Sequence, residues 1–125
     1  MVDDNAGDIV LARRCFDASR LRNPWLSFTS GKQLLDYLKT VKGGTSPMPA
    51  IVLLDLNMPV MNGFEVLATV RGDEFFRTLP IFCMLTSSSN PMEMERAQKL
   101  GASGFVTKPG NMNNYIEFFN SLAPA

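Results

Sequence analysis

The segment from Ile51 to Leu54 constrains the fold of this chain more than any other stretch. Its four residues are all apolar, with no polar alternation, which is typical of a parallel strand buried on both faces. Asp55 ends the run, and Pro59 forbids continued strand pairing soon after it. Ligands of open parallel sheets bind beyond the carboxyl ends of the strands. An aspartate there is costly to bury, so Asp55 indicates a nearby cation, hydrogen bonds or chemistry; taken alone, it could equally cap a turn.

The composition predicts one folded domain over residues 1–125, since 46% of the residues are hydrophobic. Twelve basic and twelve acidic residues give zero formal charge, so neither nucleic acid nor a membrane surface is expected as a partner. No apolar run approaches the ~18 residues of a membrane-spanning helix. Cys15 and Cys83 form no CxxC pair, and we expect both to be buried thiols in a reducing, cytoplasmic compartment.

Histidine is absent from the sequence. This excludes Ser-His-Asp and Cys-His catalysis and histidine-ligated zinc within the chain. It also excludes the chain itself as a phosphohistidine donor. Carboxylates, hydroxyls and lysines must therefore carry any chemistry.

Short apolar runs alternate with amphipathic segments, which predicts an α/β fold with a parallel sheet. Helix starts are indicated by capping residues, including Asn62 with Glu65 and Asn90 before Pro91. After an N-terminal stub, the predicted strands are Trp25–Phe28, Ile51–Leu54, Ile81–Leu85 and Gly104–Thr107. The predicted helices run from about Ala6 to Ser19, from Ser30 to beyond Val41, from Asn62 to beyond Val70, from Asn90 to Gly101 and from Met112 to Leu122.

Polar residues follow four of the predicted strands directly. The N-terminal stub ends in Asp3 and Asp4, and the third, fourth and fifth strands end in Asp55, Thr86 and Lys108. In a right-handed doubly wound sheet these ends converge on one edge. Three crowded carboxylates resist ionising without a counter-charge, and Mg²⁺ suits a site with few carboxylates and several retained waters. The ammonium of Lys108 suits one phosphoryl oxygen, and the hydroxyl of Thr86 can donate a hydrogen bond to another.

These groups suit phosphoryl transfer onto a carboxylate. The acceptor oxygen is already an anion, so no general base is needed, which agrees with the missing histidine. The remaining work is positioning and charge neutralisation, which Mg²⁺ and Lys108 can supply.

The motifs together resemble the receiver domain of two-component response regulators over essentially the whole chain. The matching segments are Val2-Asp3-Asp4-Asn5, Leu53-Leu54-Asp55-Leu56-Asn57-Met58-Pro59, Asn62-Gly63, Leu85-Thr86-Ser87, Gly101-Ala102 and Val106-Thr107-Lys108-Pro109. The resemblance implies a flavodoxin-like, doubly wound, parallel five-stranded sheet of order 2-1-3-4-5 with helices on both faces. It also implies a single-domain signalling phosphoprotein and no enzyme, with only self-phosphorylation and self-dephosphorylation chemistry.

The resemblance assigns Asp55 as the phosphoacceptor. It makes Asp4 the direct Mg²⁺ ligand and lets Asp3 act largely through water. The backbone carbonyl of Asn57 would complete the protein ligands, with Asp55 itself among them.

The resemblance also implies a switch. Thr86 would move toward the phosphoryl group, Lys108 would pair with it, and the peptide bond between Lys108 and Pro109 would be cis. Phe105 matches the switch aromatic, and because it lacks a hydroxyl, its two states would differ mainly in packing. The side chains of Asn57 and Ser88 fall where the family tunes phosphoryl lifetime.

The partners implied by the resemblance are a histidine kinase and a downstream protein target. The long loop before Ile51 is similar to that of regulators paired with bacterial phytochromes, which makes a phytochrome-type sensor a candidate kinase. A homodimer could form through the face of the fourth helix, fifth strand and fifth helix. Five methionines near this edge are expected mostly in the core, with adaptable partner contacts as the alternative: Met58, Met61, Met92, Met94 and Met112.

The first strand is truncated, because only Met1 and Val2 precede the acidic pair, whereas strands typically run ~5–6 residues. Leaving it out of the sheet order 2-1-3-4-5 would open a gap of ~10 Å. The chain could begin inside the natural domain, which we favour, could borrow a strand from another chain, or could be a degraded receiver. If the short first strand is real, we expect Asp3 and Asp4 to lie on a frayed terminus, with weakened Mg²⁺ binding.

Two other functions remain open at this point. One is a phosphorylation-deficient pseudo-receiver that acts only as a binding module, which the truncated strand favours. The other is a phosphatase of the haloacid-dehalogenase type. That family needs a second aspartate two positions after its nucleophile, and Asn57, which occupies the position, cannot serve as the acid.

Overall fold

Three parallel strands form the central sheet of the computed structural model, which describes residues 1–87 and 90–122. They are β1 (Ile51–Asp55), β2 (Ile81–Thr86) and β3 (Gly104–Thr107), hydrogen-bonded in the order β1-β2-β3. Every residue of β1 and β2 after the first is buried. The unbroken apolar runs therefore predicted these strands correctly.

Helices follow the strands along the chain and begin at the predicted caps. Asn62 and Glu65 form a complete capping box, and Pro91 takes the first turn after the cap Asn90. Their bounds are α1 (Ala6–Ala18), α2 (Gly31–Lys42), α3 (Gly63–Arg71), α4 (Pro91–Lys99) and α5 (Met112–Leu122), with a short 3-10 turn at Glu74–Phe76. In the part of the chain that the structure describes, no helix is both long enough and apolar enough to cross a membrane.

The sheet has fewer regular strands than the five predicted. The first and second strands are reduced to single parallel bridges, in which Val2 pairs with Phe28 on one side and with Leu54 of β1 on the other. Val2 thus lies where the order 2-1-3-4-5 places the first strand. The predicted strand Trp25–Phe28 pairs with this segment at Phe28, and the Met1 ammonium adds one hydrogen bond to the Leu26 carbonyl at 2.8 Å. A cavity of about 450 Å³, lined in part by Trp25 and Ile51, lies beside this short bridge.

The N-terminal residues are not frayed, which corrects the expectation for the acidic pair. The Val2 N–H donates to the Leu53 carbonyl at 2.8 Å, and the Val2 carbonyl accepts from the Asp55 N–H at 2.9 Å. On the other side, the Asp3 N–H donates to the Phe28 carbonyl at 3.1 Å. Backbone bonds on both sides therefore fix Asp3, and the proposed reason for weak Mg²⁺ binding does not hold.

The two faces of the sheet carry separate apolar clusters, as the predicted fold requires. Side chains of α2, α3 and α4 pack on one face around Leu54, Phe82 and Met84. Side chains of α1 and α5 pack on the other around Leu53 and Leu85. The free thiols of Cys15 and Cys83 are buried in the second cluster, as the sequence predicted.

The loop from Asp55 to Gly63 returns the chain tightly onto the end of β1. The Gly63 N–H donates to the Leu56 carbonyl at 2.9 Å, and the Leu56 N–H donates to the Leu85 carbonyl at 2.9 Å. A Cβ atom on Gly63 would lie 2.6 Å from the Asp55 carbonyl oxygen and 2.9 Å from the Met84 methyl group. Only glycine lets α3 start this close to the strand end that carries Asp55.

We therefore expect Gly63→Ala to lower the free energy of unfolding by roughly 1–3 kcal/mol, because the added methyl group meets backbone that cannot move aside cheaply. Urea unfolding followed by circular dichroism measures the change. Gly110→Ala is the matched control, since a Cβ there meets no atom within 4 Å. Equal stability of the two variants would contradict the close approach at Gly63.

Candidate functional site

The polar residues predicted to converge do meet at one edge of the sheet. Asp55 and Thr86 are the last residues of β1 and β2, and Lys108 directly follows β3. The Lys108 N–H donates to the Thr86 carbonyl at 2.6 Å. This backbone bond continues the β2–β3 pairing past the end of β3 and sets where the lysine side chain starts.

Three carboxylates cluster at this edge. Asp3, Asp4 and Asp55 each offer an oxygen within 4.8 Å of the others. Asp3 and Asp55 are buried, at 0% and 5% exposure, whereas Asp4 is exposed. An all-oxygen set with one solvent-facing member fits a hard divalent cation such as Mg²⁺, which keeps several waters. The residues present therefore suit the predicted metal, and the exposed Asp4 leaves room for the waters that such an ion keeps.

The ammonium of Lys108 is surrounded by carboxylates. Its Nζ lies 2.9 Å from an Asp3 oxygen, 3.0 Å from an Asp8 oxygen and 3.5 Å from an Asp55 oxygen. Asp3 and Asp55 belong to the predicted site, but Asp8 was not predicted. The sequence signal for it was its place in the first turn of a helix that follows the acidic pair. That place alone does not reveal that its side chain reaches across to the residue after β3.

Burial dominates the electrostatics of Asp55. Burial first and the negative charge of Asp3 second raise the pKa of this carboxyl, which lies at about 6. Lys108 and the Asn57 N–H, which donates to an Asp55 oxygen at 3.4 Å, act in the opposite direction. Burial would also lower the pKa of Lys108, but the neighbouring carboxylates outweigh it and raise that pKa above its usual value. Lys108 therefore stays positively charged, whereas the raised pKa of Asp55 disfavours its ionised form.

The predicted switch residues occupy different depths. Thr86 is fully buried at the end of β2, and Phe105 of β3 is half-buried against the cluster on the α2–α4 face. Asn57 is exposed. The side chain of Ser88, predicted to tune phosphoryl lifetime, lies outside the described residues. The roles of these residues stay predictions.

The prediction of a cis peptide bond after Lys108 is wrong in this structure. Among the described residues, the cis bond lies between Leu79 and Pro80, before β2. The Lys108 side chain reaches the carboxylates without one, because its backbone is already fixed by the bond to Thr86.

The methionines near this edge also depart from the prediction. Met58 is buried and Met61 is partly buried against the core, as expected. Met92, Met94 and Met112 are exposed, at 78%, 39% and 47%. These three lie in the first turns of α4 and α5, where the helix faces are not covered by the sheet.

Comparison with known sequences identifies the family. The sequence profile of the response regulator receiver domain matches residues 1–120. The chain belongs to this family. Receiver domains act in two-component signalling, so the phosphatase alternative is set aside. The probable methanogenesis regulatory protein FilR2 of Methanothrix harundinacea is 34% identical over 111 residues, which cover 87% of this chain and 70% of that protein.

Solved receiver structures agree with this fold. The response regulator RPA3017, described in red light signalling of R. palustris, is 32% identical and superimposes with a TM-score of 0.85 over 97% of this chain and 87% of that one. The bacteriophytochrome response regulator AtBRR is 33% identical, with a TM-score of 0.77 over 99% of this chain and 91% of that one. The flavodoxin-like architecture predicted for the chain is thereby confirmed, although two of its five strands are only bridges.

The raised pKa of Asp55 predicts a pH-dependent stability. In the absence of divalent cations, the folded state holds the proton of Asp55 up to about pH 6, whereas the unfolded chain releases it near its ordinary value of 3.8. The folded state thus binds more protons in this window, so this contribution to stability is present below pH 4 and is lost as the pH rises through 6. Asp55→Asn removes the term.

Urea unfolding in EDTA tests this expectation. We expect Asp55→Asn to be stabilised relative to the unsubstituted protein at about pH 7.5, and to lose most of that advantage at about pH 4.5. The same stability difference at both pH values would show that Asp55 does not titrate in this window.

Proposed function

We propose that Asp55 is the phosphoacceptor of this receiver domain, that a histidine kinase is the donor, and that Mg²⁺ is bound by Asp3, Asp4, Asp55 and the Asn57 carbonyl. The observation that carries the proposal is the approach of the Lys108 ammonium to 3.5 Å from the Asp55 carboxylate, at the edge of a trio of carboxylates. A cation poised beside a buried carboxylate suits a group that is to acquire further negative charge.

In the proposed reaction an Asp55 carboxylate oxygen attacks the phosphorus of phosphohistidine. A P–O bond forms to Asp55 as the P–N bond to the donor imidazole breaks, and the released imidazole takes a proton from solvent if it leaves as the anion. Mg²⁺, when bound, neutralises charge on the phosphoryl oxygens. Lys108 donates a hydrogen bond to one phosphoryl oxygen, and the hydroxyl of Thr86 donates to another. No side chain has to remove a proton from the nucleophile.

The new charge would then shift the conformation. Drawing Thr86 and Lys108 toward the phosphoryl group moves the end of β2 and the residue after β3, and Phe105 repacks between them. Reversing a 1:99 preference takes a differential of ~5.5 kcal/mol. A doubly charged group that gains a divalent cation and a lysine in a half-buried site can supply this.

The exposed methionines favour a protein partner for the output. Met92 and Met94 on α4 and Met112 on α5 present flexible apolar side chains beside the switch. We propose that a downstream protein, or a second copy of the chain, binds the face formed by α4, β3 and α5.

We further propose a phytochrome-type sensor kinase as the donor. RPA3017 and AtBRR, both above 30% identity, are described with red light signalling and with a bacteriophytochrome. Buried, unpaired Cys15 and Cys83 suit a reducing compartment such as the cytoplasm, where such kinases present their phosphohistidine.

Incubation with a small acyl phosphate and Mg²⁺, followed by intact-mass measurement, tests the phosphoacceptor. We expect a gain of one phosphoryl group that hydroxylamine removes and that Asp55→Asn abolishes. Asp3, the other carboxylate of the trio against Lys108, is fully buried and has both oxygens bonded, one to Lys108 and one to the Asn5 N–H. Asp17→Asn is the control of equal charge change, since Asp17 pairs with Arg13 on the exposed side of α1. No mass gain would contradict the proposal and support the pseudo-receiver.

A further inference from the structure

The Lys108 ammonium donates hydrogen bonds to Asp3 and Asp8 and forms an ion pair with Asp55. An ammonium carries three N–H donors, and three carboxylates lie within 2.9, 3.0 and 3.5 Å of Nζ. A shift of Lys108 toward a phosphoryl group on Asp55 would weaken its bond to one of the other two partners, Asp3 or Asp8. The identity of that partner decides how easily the Lys108 ammonium can move toward the phosphoryl group.

Asp8 is held in place by the start of α1. Asp8 is the third residue of α1, and its N–H donates to the side-chain oxygen of the cap Asn5 at 3.1 Å. A carboxylate at this position often turns back to the N–H of the cap. Here the Asn5 N–H already donates to an Asp3 oxygen at 2.9 Å. The Asp8 carboxylate is therefore left to reach across to Lys108.

The three partners differ in how easily water can replace the lysine. The side chain of Asp3 is fully buried and that of Asp55 is 6% exposed, so either carboxylate would be left as a buried charge without its cation. The Asp8 side chain is 36% exposed, so solvent can hydrate it once Lys108 leaves. Asp8 also lies outside the trio that suits a metal ion. It is the partner that Lys108 can release at the lowest cost.

We propose that Asp8 is a positioning residue that draws the Lys108 ammonium toward α1 in the unmodified protein and competes with the phosphoryl group for it. The inference rests on the proposed role of Asp55. Removing the Asp8 charge frees Lys108 for Asp55, so Asp8→Asn binds a phosphoryl mimic more tightly.

Trifluoroberyllate, a tetrahedral phosphoryl mimic that binds a carboxylate oxygen, is the probe, titrated at saturating Mg²⁺ and followed by fluorine NMR. We expect Asp8→Asn to tighten its binding by about threefold, the scale of a partly exposed ion pair. Asp8→Glu, which keeps the charge, should stay near the unsubstituted affinity. Unchanged or weaker binding by Asp8→Asn would overturn the proposal.

Two controls separate competition for Lys108 from a general change in charge. Asp17→Asn alters the net charge equally on the same helix, and it should leave the affinity unchanged. In a Lys108→Gln background, Asp8→Asn should have no effect, because the shared cation is gone. An effect that persists there would mean that Asp8 acts through the overall field and not through Lys108.

A measurement without any phosphoryl mimic keeps the inference distinct from the proposed function. The ammonium resonances of nitrogen-15-labelled lysines report exchange of N–H protons with water. We expect the Lys108 signal to exchange faster in Asp8→Asn and to be unchanged in Asp17→Asn. An unaltered Lys108 signal in Asp8→Asn would refute the contact between Asp8 and Lys108, even if trifluoroberyllate binds. If the exchange effect is present but the unsubstituted protein does not bind trifluoroberyllate, the phosphoacceptor role of Asp55 is refuted instead.

Discussion

The ammonium of Lys108 is the interaction on which the site depends. It is the one cation that contacts buried carboxylates among the described residues, and it joins the N-terminal segment, β1 and the residue after β3 through Asp3, Asp8 and Asp55. Without it, Asp3 would be a fully buried charge with only the Asn5 N–H to stabilise it. Such an uncompensated charge is strongly destabilising in a protein interior. The contacts of Lys108 therefore hold together the sheet edge that carries Asp3 and Asp55, and they place a cation beside the proposed phosphoacceptor.

The short N-terminal segment takes part in this through its backbone. Val2 bonds to Leu53 and Asp55 on one side, while its neighbours bond to Phe28 on the other, so a two-sided pairing is formed by very few residues. The pairing aims Asp3 inward toward Lys108 and leaves Asp4 facing solvent. Alternation of side chains along an extended segment explains why two adjacent aspartates have such different surroundings. One is suited to anchoring the lysine, and the other is suited to exchanging water for a metal ion.

Local signals made most of this architecture predictable. The apolar runs of β1 and β2 are buried on both faces, and the caps Asn62 and Asn90 start helices as their side chains require. Asp55 and Lys108 were predicted to meet because parallel strand ends share one edge. Asp8 was not, because its partner is 100 residues away and the choice depends on Asn5 already being bonded to Asp3. The second strand, Trp25–Phe28, was predicted too long for a similar reason. Its pairing depends on the segment around Val2 and not on its own sequence.

The balance of charge explains why the site is suited to switching. Three carboxylates contact one ammonium, a fourth, Asp4, lies near two of them, and burial together with the charge of Asp3 raises the pKa of Asp55 to about 6. A divalent cation at the trio would relieve most of this excess, and ionised Asp55 would then become an available nucleophile. Phosphorylation at Asp55, as proposed, would restore the excess by adding negative charge at the same point, and Lys108 is the cation that lies beside it among the described residues. Lys108 contacts buried Asp3 on one side and partly exposed Asp8 on the other. A shift toward the phosphoryl group would therefore exchange the partly exposed Lys108–Asp8 pair for a buried pair. Electrostatic interactions strengthen as the surrounding water is removed, and this offsets part of the cost of desolvating the buried pair.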